Sequence, residues 1–183
     1  LPVLSFVVFD PSGVDQRSYP PRHALLIGAD DIPMQGTVTI REGLVEAEKS
    51  QPQAAALLVQ IPVTLPESGG VVGTNLGLLA VQTCLLPERP EPYLLSIELA
   101  RHRIMLFLNK LEDWGLFDLS ADTPCLQQIE SARQKFTAAL VAQRDPPEGE
   151  RLTNGYCPRA DRLALDAMAL AVSAGEQLTM LKA

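Results

Sequence analysis

The sequence predicts an α+β fold in a single domain spanning residues 1–183: an antiparallel β-sandwich or curled sheet over about 1–86, then three α-helices packed with it over 87–183. Three observations predict it. Short β-branched runs bounded by turn residues fill the first half, the proline-rich stretch LPERPEPY divides the chain, and helical periodicity takes over beyond it. With 183 residues, 46% of them hydrophobic, the chain is long enough to bury roughly 70% of its unfolded surface around one core.

Leu4 to Phe9 (LSFVVF) is an apolar run closed by Asp10, Pro11, Ser12 and Gly13, a turn signal. Leu25 to Ile27 makes a short second strand ending at Gly28. In GTVTIREG, Val38 and Ile40 alternate with Thr37, Thr39 and Arg41, as a half-buried strand requires, and Gly43 turns the chain into LVEAEKS as a hairpin. AALLVQIPV (Ala55 to Val63) and LGLLAVQTCLL (Leu76 to Leu86) are continuous apolar runs. The glycines of PESGGVVGTNLG, between them, are followed by no helix and accompanied by no lysine, so they read as a connection rather than a phosphate cradle. About five to seven strands are expected.

Pro87, Pro90 and Pro92 then fix φ and remove amide donors, which predicts a stiff, extended segment. The first helix is expected from about Tyr93 to Trp114, with Ile97, Ile104, Leu108 and Leu111 as its apolar stripe and Gly115 as its terminator. Thr123 and Pro124 form an N-cap and first-position pair for the second, whose face carries Leu126, Ile129, Phe136 and Leu140. Asp145 to Gly155 reads as a surface loop. The third begins near Pro158, with Leu163, Ala167, Leu170, Ala174, Leu178 and Leu181 as its main face and Ala164, Met168, Ala171 and Val172 widening it. Its pattern runs to Ala183 without a Gly or Pro stop, as in a segment cut from a longer protein.

Net charge is −7, with the acidic residues dispersed. No basic patch exists to neutralise phosphates, so nucleic acid is not an expected partner. Nor is a membrane: the charge disfavours anionic lipid and no apolar run reaches spanning length. Cys84, Cys125 and Cys157 form an odd, widely spaced set outside any disulfide framework, which leans towards a reducing compartment and buried free thiols. A zinc site would have to combine all three with His23 or His102, and no metal or other cofactor is expected.

The chemistry-bearing residues gather in ELARHRIMLFLNKLEDWG. Arg101 falls between Ile97 and Ile104 within the apolar stripe, where a guanidinium must find a partner. Glu98 stands three residues before Arg101 and four before His102, spacings that bring side chains together, and Glu88 and Arg89 are in reach if the proline segment folds back. One reading is a ligand or acid/base site of Glu98, Arg101 and His102; the other is an ion network fixing the helix on the sheet. Trp114, Tyr19, Tyr93 and Tyr156 are candidate faces for stacking on sugar rings, though Trp114 also fits a helix-end residue packing with Leu116 and Phe117. Ser5, Ser68 and Ser96 sit in no nucleophile-elbow context, and the acid pairs Asp30–Asp31 and Glu46–Glu48 read as solvated surface.

The run QTCLLPERPEPYLLSIELARHRIMLFLNKLEDWGLFDL, from Gln82 to Leu119, resembles a segment of bacterial family-ten glycoside hydrolases, endo-1,4-β-xylanase-like proteins, in the N-terminal region ahead of their catalytic (β/α) barrel. FVVFDPSG and AVSAGEQLTMLKA are similar to the start and end of that region. The family's catalytic glutamates lie in the barrel, and one of about 250 residues does not fit here, so no catalytic residue carries over. The resemblance implies a non-catalytic accessory domain of a xylan-degrading enzyme. Its partners would be a downstream barrel in the same chain, a polysaccharide or a second copy in a homodimer. The alternative is a standalone ligand-binding or enzymatic domain whose charged cleft holds Glu98, Arg101 and His102.

Overall fold

The computed structural model describes residues 2–9, 23–41, 44–67 and 73–182, with the side chains of 40 and 41 excepted. The turns expected at Asp10–Gly13 and Gly43, the middle of the glycine-rich stretch with Ser68, and Tyr19 lie outside the described residues. Among the described residues, eight strands form two four-stranded sheets. The strands are β1 (Val3–Val7), β2 (Leu25–Ile27), β3 (Pro33–Met34), β4 (Gly36–Arg41), β5 (Leu44–Lys49), β6 (Ala56–Thr64), β7 (Asn75–Gln82) and β8 (Tyr93–Leu94). One sheet has the order β4-β5-β1-β8 and the other β3-β2-β6-β7.

Alternation behaves as the hairpin sequence requires: Leu44–Lys49 is half-buried and buried by turns, placing Val45, Ala47 and Lys49 inside. The pairing is antiparallel with one exception. β8 lies parallel to β1, Phe6 opposite Tyr93 and Val7 opposite Leu94, so the segment after the prolines completes the first sheet before turning into a helix. Sequence reading placed the strands before residue 87 and missed this pair, along with β3, because two-residue strands carry no periodicity.

The helices are α1 (Leu95–Asp113), α2 (Pro124–Arg144) and α3 (Pro158–Lys182). Gly115, at φ 64°, ends α1 in a Schellman motif: its amide donates to the Glu112 carbonyl and the Leu116 amide to that of Leu111. Pro124 opens α2 as its sequence implies, although the Thr123 hydroxyl makes no capping bond. Helix α3 packs against both other helices. Its buried face is built on alanine, from Ala160 through Ala164, Ala167 and Ala171 to Ala174, while Leu181 stays exposed. On α2, Ala132, Ala139 and Ala142 are buried with Ile129, whereas Leu140 is exposed. On α3 the expected Ala167, Ala174 and Leu178 are buried, with Ala164, Met168, Ala171 and Val172 beside them; on α2 alanines take the place expected for Leu140, because small side chains let helix axes approach. Among the described residues no helix is long and apolar enough to cross a membrane.

Among the described residues, two clusters make the interior. The larger joins both sheets to the start of α1, the end of α2 and the first half of α3. The smaller lies between the far ends of the helices, around Phe107, Cys125, Ile129 and Leu178.

Candidate functional site at the sheet–helix junction

Six successive residues of α1, Leu95 to Ala100, are buried, because here the helix leaves β8 and is enclosed by strands and by α3. Glu98 is among them. Its carboxylate forms an ion pair with Arg101, 3.2 Å from Nε, yet the arginine side chain is 51% exposed and the glutamate's 10%. The expected arrangement is thus inverted: the acid is buried and the base stands at the rim. Leu99, His102 and Phe107 face inwards, while Arg101, Met105 and Leu108 share the exposed line. The α1 sequence is apolar on nearly every side, so its stripe could be drawn on more than one face. Arg101 reaches across to α2, its guanidinium carbon 5.8 Å from the Phe136 ring centre.

Burial raises the Glu98 pKa, and Arg101 and Arg89 pull it back. Arg89 belongs to the proline segment, which folds back onto the site. Its guanidinium stacks 3.5 Å over the Tyr93 ring. It also donates to the Glu91 and Pro92 carbonyls and to the Tyr156 hydroxyl. Tyr156 donates to the Pro92 carbonyl and Tyr93 to that of Pro87. The stiffness expected of LPERPEPY is therefore achieved by side chains clasping its carbonyls.

His102 turns from Glu98 towards β7, where its Nε2 lies 3.4 Å from the Gln82 amide nitrogen. Its Nδ1 is buried without a hydrogen-bond partner. Burial, with Arg103 second, lowers the His102 pKa and keeps the ring neutral. Arg103 donates to the Ala80 carbonyl at 2.7 Å.

The structure brings Glu98 and Arg101 into contact and leaves His102 on the neighbouring strand-facing side. Trp114 does not join them: sixteen residues along a helix separate it from Glu98, about 24 Å. It lines the smaller cluster with Leu116, beneath Lys110, while Phe117 is 69% exposed.

Two buried charges were not singled out from the sequence. Lys49, 1% exposed, pairs with Glu88 at 3.0 Å and donates to the Gln53 carbonyl at 2.6 Å. Glu88 is thereby drawn to β5 rather than to the Glu98 network. Asp161, 4% exposed, lies in the first turn of α3, with the Ser96 hydroxyl close by but in no hydrogen bond of ordinary geometry.

Cys84, Cys125 and Cys157 are all free thiols. Burial raises the Cys84 pKa, with Glu98 adding to the effect, so it remains an unreactive thiol at neutral pH. No group of three or more His, Cys, Asp or Glu among the described residues is placed to hold a metal ion. An open groove of about 630 Å³ runs along α2 and the start of α3, lined by Arg133, Val141, Pro147, Arg159 and Leu163 among others; none of Glu98, Arg101, His102 and Trp114 borders it. No family model matches the chain, no curated protein matches it, and no solved structure matches it.

Proposed function

We propose that this chain is a non-catalytic accessory domain of a glycoside-hydrolase-like protein, acting by docking against a neighbouring domain or copy rather than by cleaving sugar. The support for the family is the resemblance of Gln82–Leu119; the support for a non-catalytic role is the state of the charged set on α1. Arg89, Glu98 and Arg101 are engaged with one another and with Tyr93, Tyr156 and the Pro92 carbonyl, groups that fasten the helical layer to the first sheet. The aromatic residues favour docking over polysaccharide binding. Tyr93 lies under Arg89, Tyr156 is hydrogen-bonded, and Trp114 is half-buried in the smaller cluster, which leaves no paired stacking platform among them.

Incubated with xylan, the purified chain is expected to release no reducing ends, and affinity electrophoresis in xylan gels should not retard it relative to a Trp114→Ala control. Xylan hydrolysis that Glu98→Gln abolishes would overturn the proposal in favour of the charged-cleft alternative. That alternative draws on one observation, the buried and unpartnered Nδ1 of His102.

A further inference from the structure

The chain has three asparagines, Asn75, Asn109 and Asn154, and only the last precedes a glycine. Asn154 and Gly155 are exposed, and both lie in the left-handed region, at φ 48° and 79°. On either side of them, the Thr153 amide donates to the Tyr156 carbonyl at 2.9 Å and the Tyr156 amide to that of Thr153 at 2.8 Å. Two positive φ values inside a mutually bonded pair make a type I′ turn. This turn is held from two directions. Gln143 of α2 donates to the Gly155 carbonyl at 2.9 Å and accepts from the Cys157 amide. The Tyr156 hydroxyl donates to the Pro92 carbonyl at 2.6 Å and accepts from Arg89. Among the described residues, no acceptor takes the Gly155 amide and no group holds the Asn154 side chain.

We propose that Asn154 is a site of spontaneous modification, deamidation through a succinimide, and that the clasped turn sets its rate. In the first step the Gly155 nitrogen bonds to the Asn154 side-chain carbonyl carbon, and the side-chain nitrogen leaves with the amide proton as ammonia. Water then adds to either carbonyl of the ring and opens it, giving aspartate or isoaspartate. Glycine favours the attack because no side chain crowds its nitrogen. In a type I′ turn, however, that nitrogen stands across the Cα–C bond from the Asn154 side chain, so the two meet only after ψ of Asn154 has rotated. Rotation breaks the Thr153–Tyr156 pair, which makes it a local opening, and the bonds from Gln143 and Tyr156 are its gate. The other asparagines are poorly placed. Leu76 and Lys110 follow them, the Asn75 side chain accepts from the Gly77 amide, and Asn109 lies within α1. The two products differ in effect. Asp-Gly suits the same turn, whereas isoaspartate carries its side-chain methylene into the main chain and undoes the Thr153–Tyr156 pairing, releasing the loop from Pro92.

The purified chain, incubated in mildly alkaline buffer and cut with trypsin, should show by mass spectrometry the Leu152–Arg159 peptide gaining the mass that replaces an amide NH2 by a hydroxyl. Labelling by isoaspartyl methyltransferase should rise in step. The folded parent should convert more slowly than the same chain unfolded in urea, and Gln143→Ala should convert about tenfold faster than the parent. Tyr156→Phe keeps the ring but loses the bond to Pro92, and it should also convert faster than the parent. Circular dichroism checks that both variants are folded. The proposal is overturned by a folded parent that converts as fast as the unfolded chain, by rates in both variants equal to the parent's, by conversion first at Asn75 or Asn109, or by no conversion in any folded form while the unfolded chain converts fully.

Discussion

Asp161 and His102 are both buried, and they move stability with pH in opposite directions. Burial lifts the Asp161 pKa from 3.8 to about 6, with the Ser96 hydroxyl and Arg162 pulling it back. The folded state therefore binds the proton more tightly than the unfolded chain, and stability falls as pH rises from about 4 through about 6. His102 has its pKa lowered from 6.5 by burial, so its contribution is complete above 6.5 and is lost as pH falls through the depressed folded value. Asp161→Asn is expected to be more stable than the parent near pH 8, by about 1–3 kcal/mol, leaving a pH dependence of the His102 sign. Urea unfolding across a pH series measures both; equal stability of the two proteins near pH 8 would sink the assignment. Some of these residues were legible in the sequence. LVEAEK places Lys49 in step with Val45 and Ala47, so a buried lysine could have been read from alternation alone. Asp161 likewise shares a face with Ala164 and Met168. Exposure of Arg101 was not legible, because the α1 apolar residues leave the helix's rotation undetermined.

Among elements, caps and turns were the most legible features, since Gly115 and Pro124 act through their own backbone constraints. Contact faces were mixed: the alanines of α3 were legible from their spacing, whereas Ala132, Ala139 and Ala142 of α2 were overshadowed by the line that ends in Leu140. The loop before α3 adds a device that spacing does not reveal. Gln143, near the end of α2, accepts from the Cys157 amide at 3.0 Å and donates to the Gly155 carbonyl at 2.9 Å. Glu150 accepts from the Arg159 amide at 2.8 Å, satisfying one free donor at the start of α3 from outside the helix. Gln143→Ala should remove both loop contacts and cost about 1–3 kcal/mol, read as a lowered urea midpoint with unchanged slope. A change below about 0.5 kcal/mol would show that the Thr153–Tyr156 turn holds itself.

At the scale of the whole molecule, the α+β class and the order of strands then helices followed from composition and period. The division into two sheets did not, because pairing partners are set by packing between distant segments. Nor did the split of the interior into two clusters, the smaller confined to the helical layer. That split gives the far end of the helices a stability of its own. Phe107→Ala should cost about 3–5 kcal/mol and speed amide exchange chiefly at the C-terminal half of α1 and the start of α2, leaving β5 and β6 slow. Native-state hydrogen exchange followed by mass spectrometry distinguishes this from equal acceleration everywhere, which would mean that the two clusters open together.

The parallel pairing of Phe6 with Tyr93 also bears on how the chain is made. β1 is made before its second neighbour, which is synthesised only after the proline segment, several seconds later at about 5–20 residues per second. During that interval LSFVVF is an apolar strand with one side unfilled. In that interval the strand is open to chaperone capture or to another nascent chain, and the emergence of Tyr93 and Leu94 closes that window.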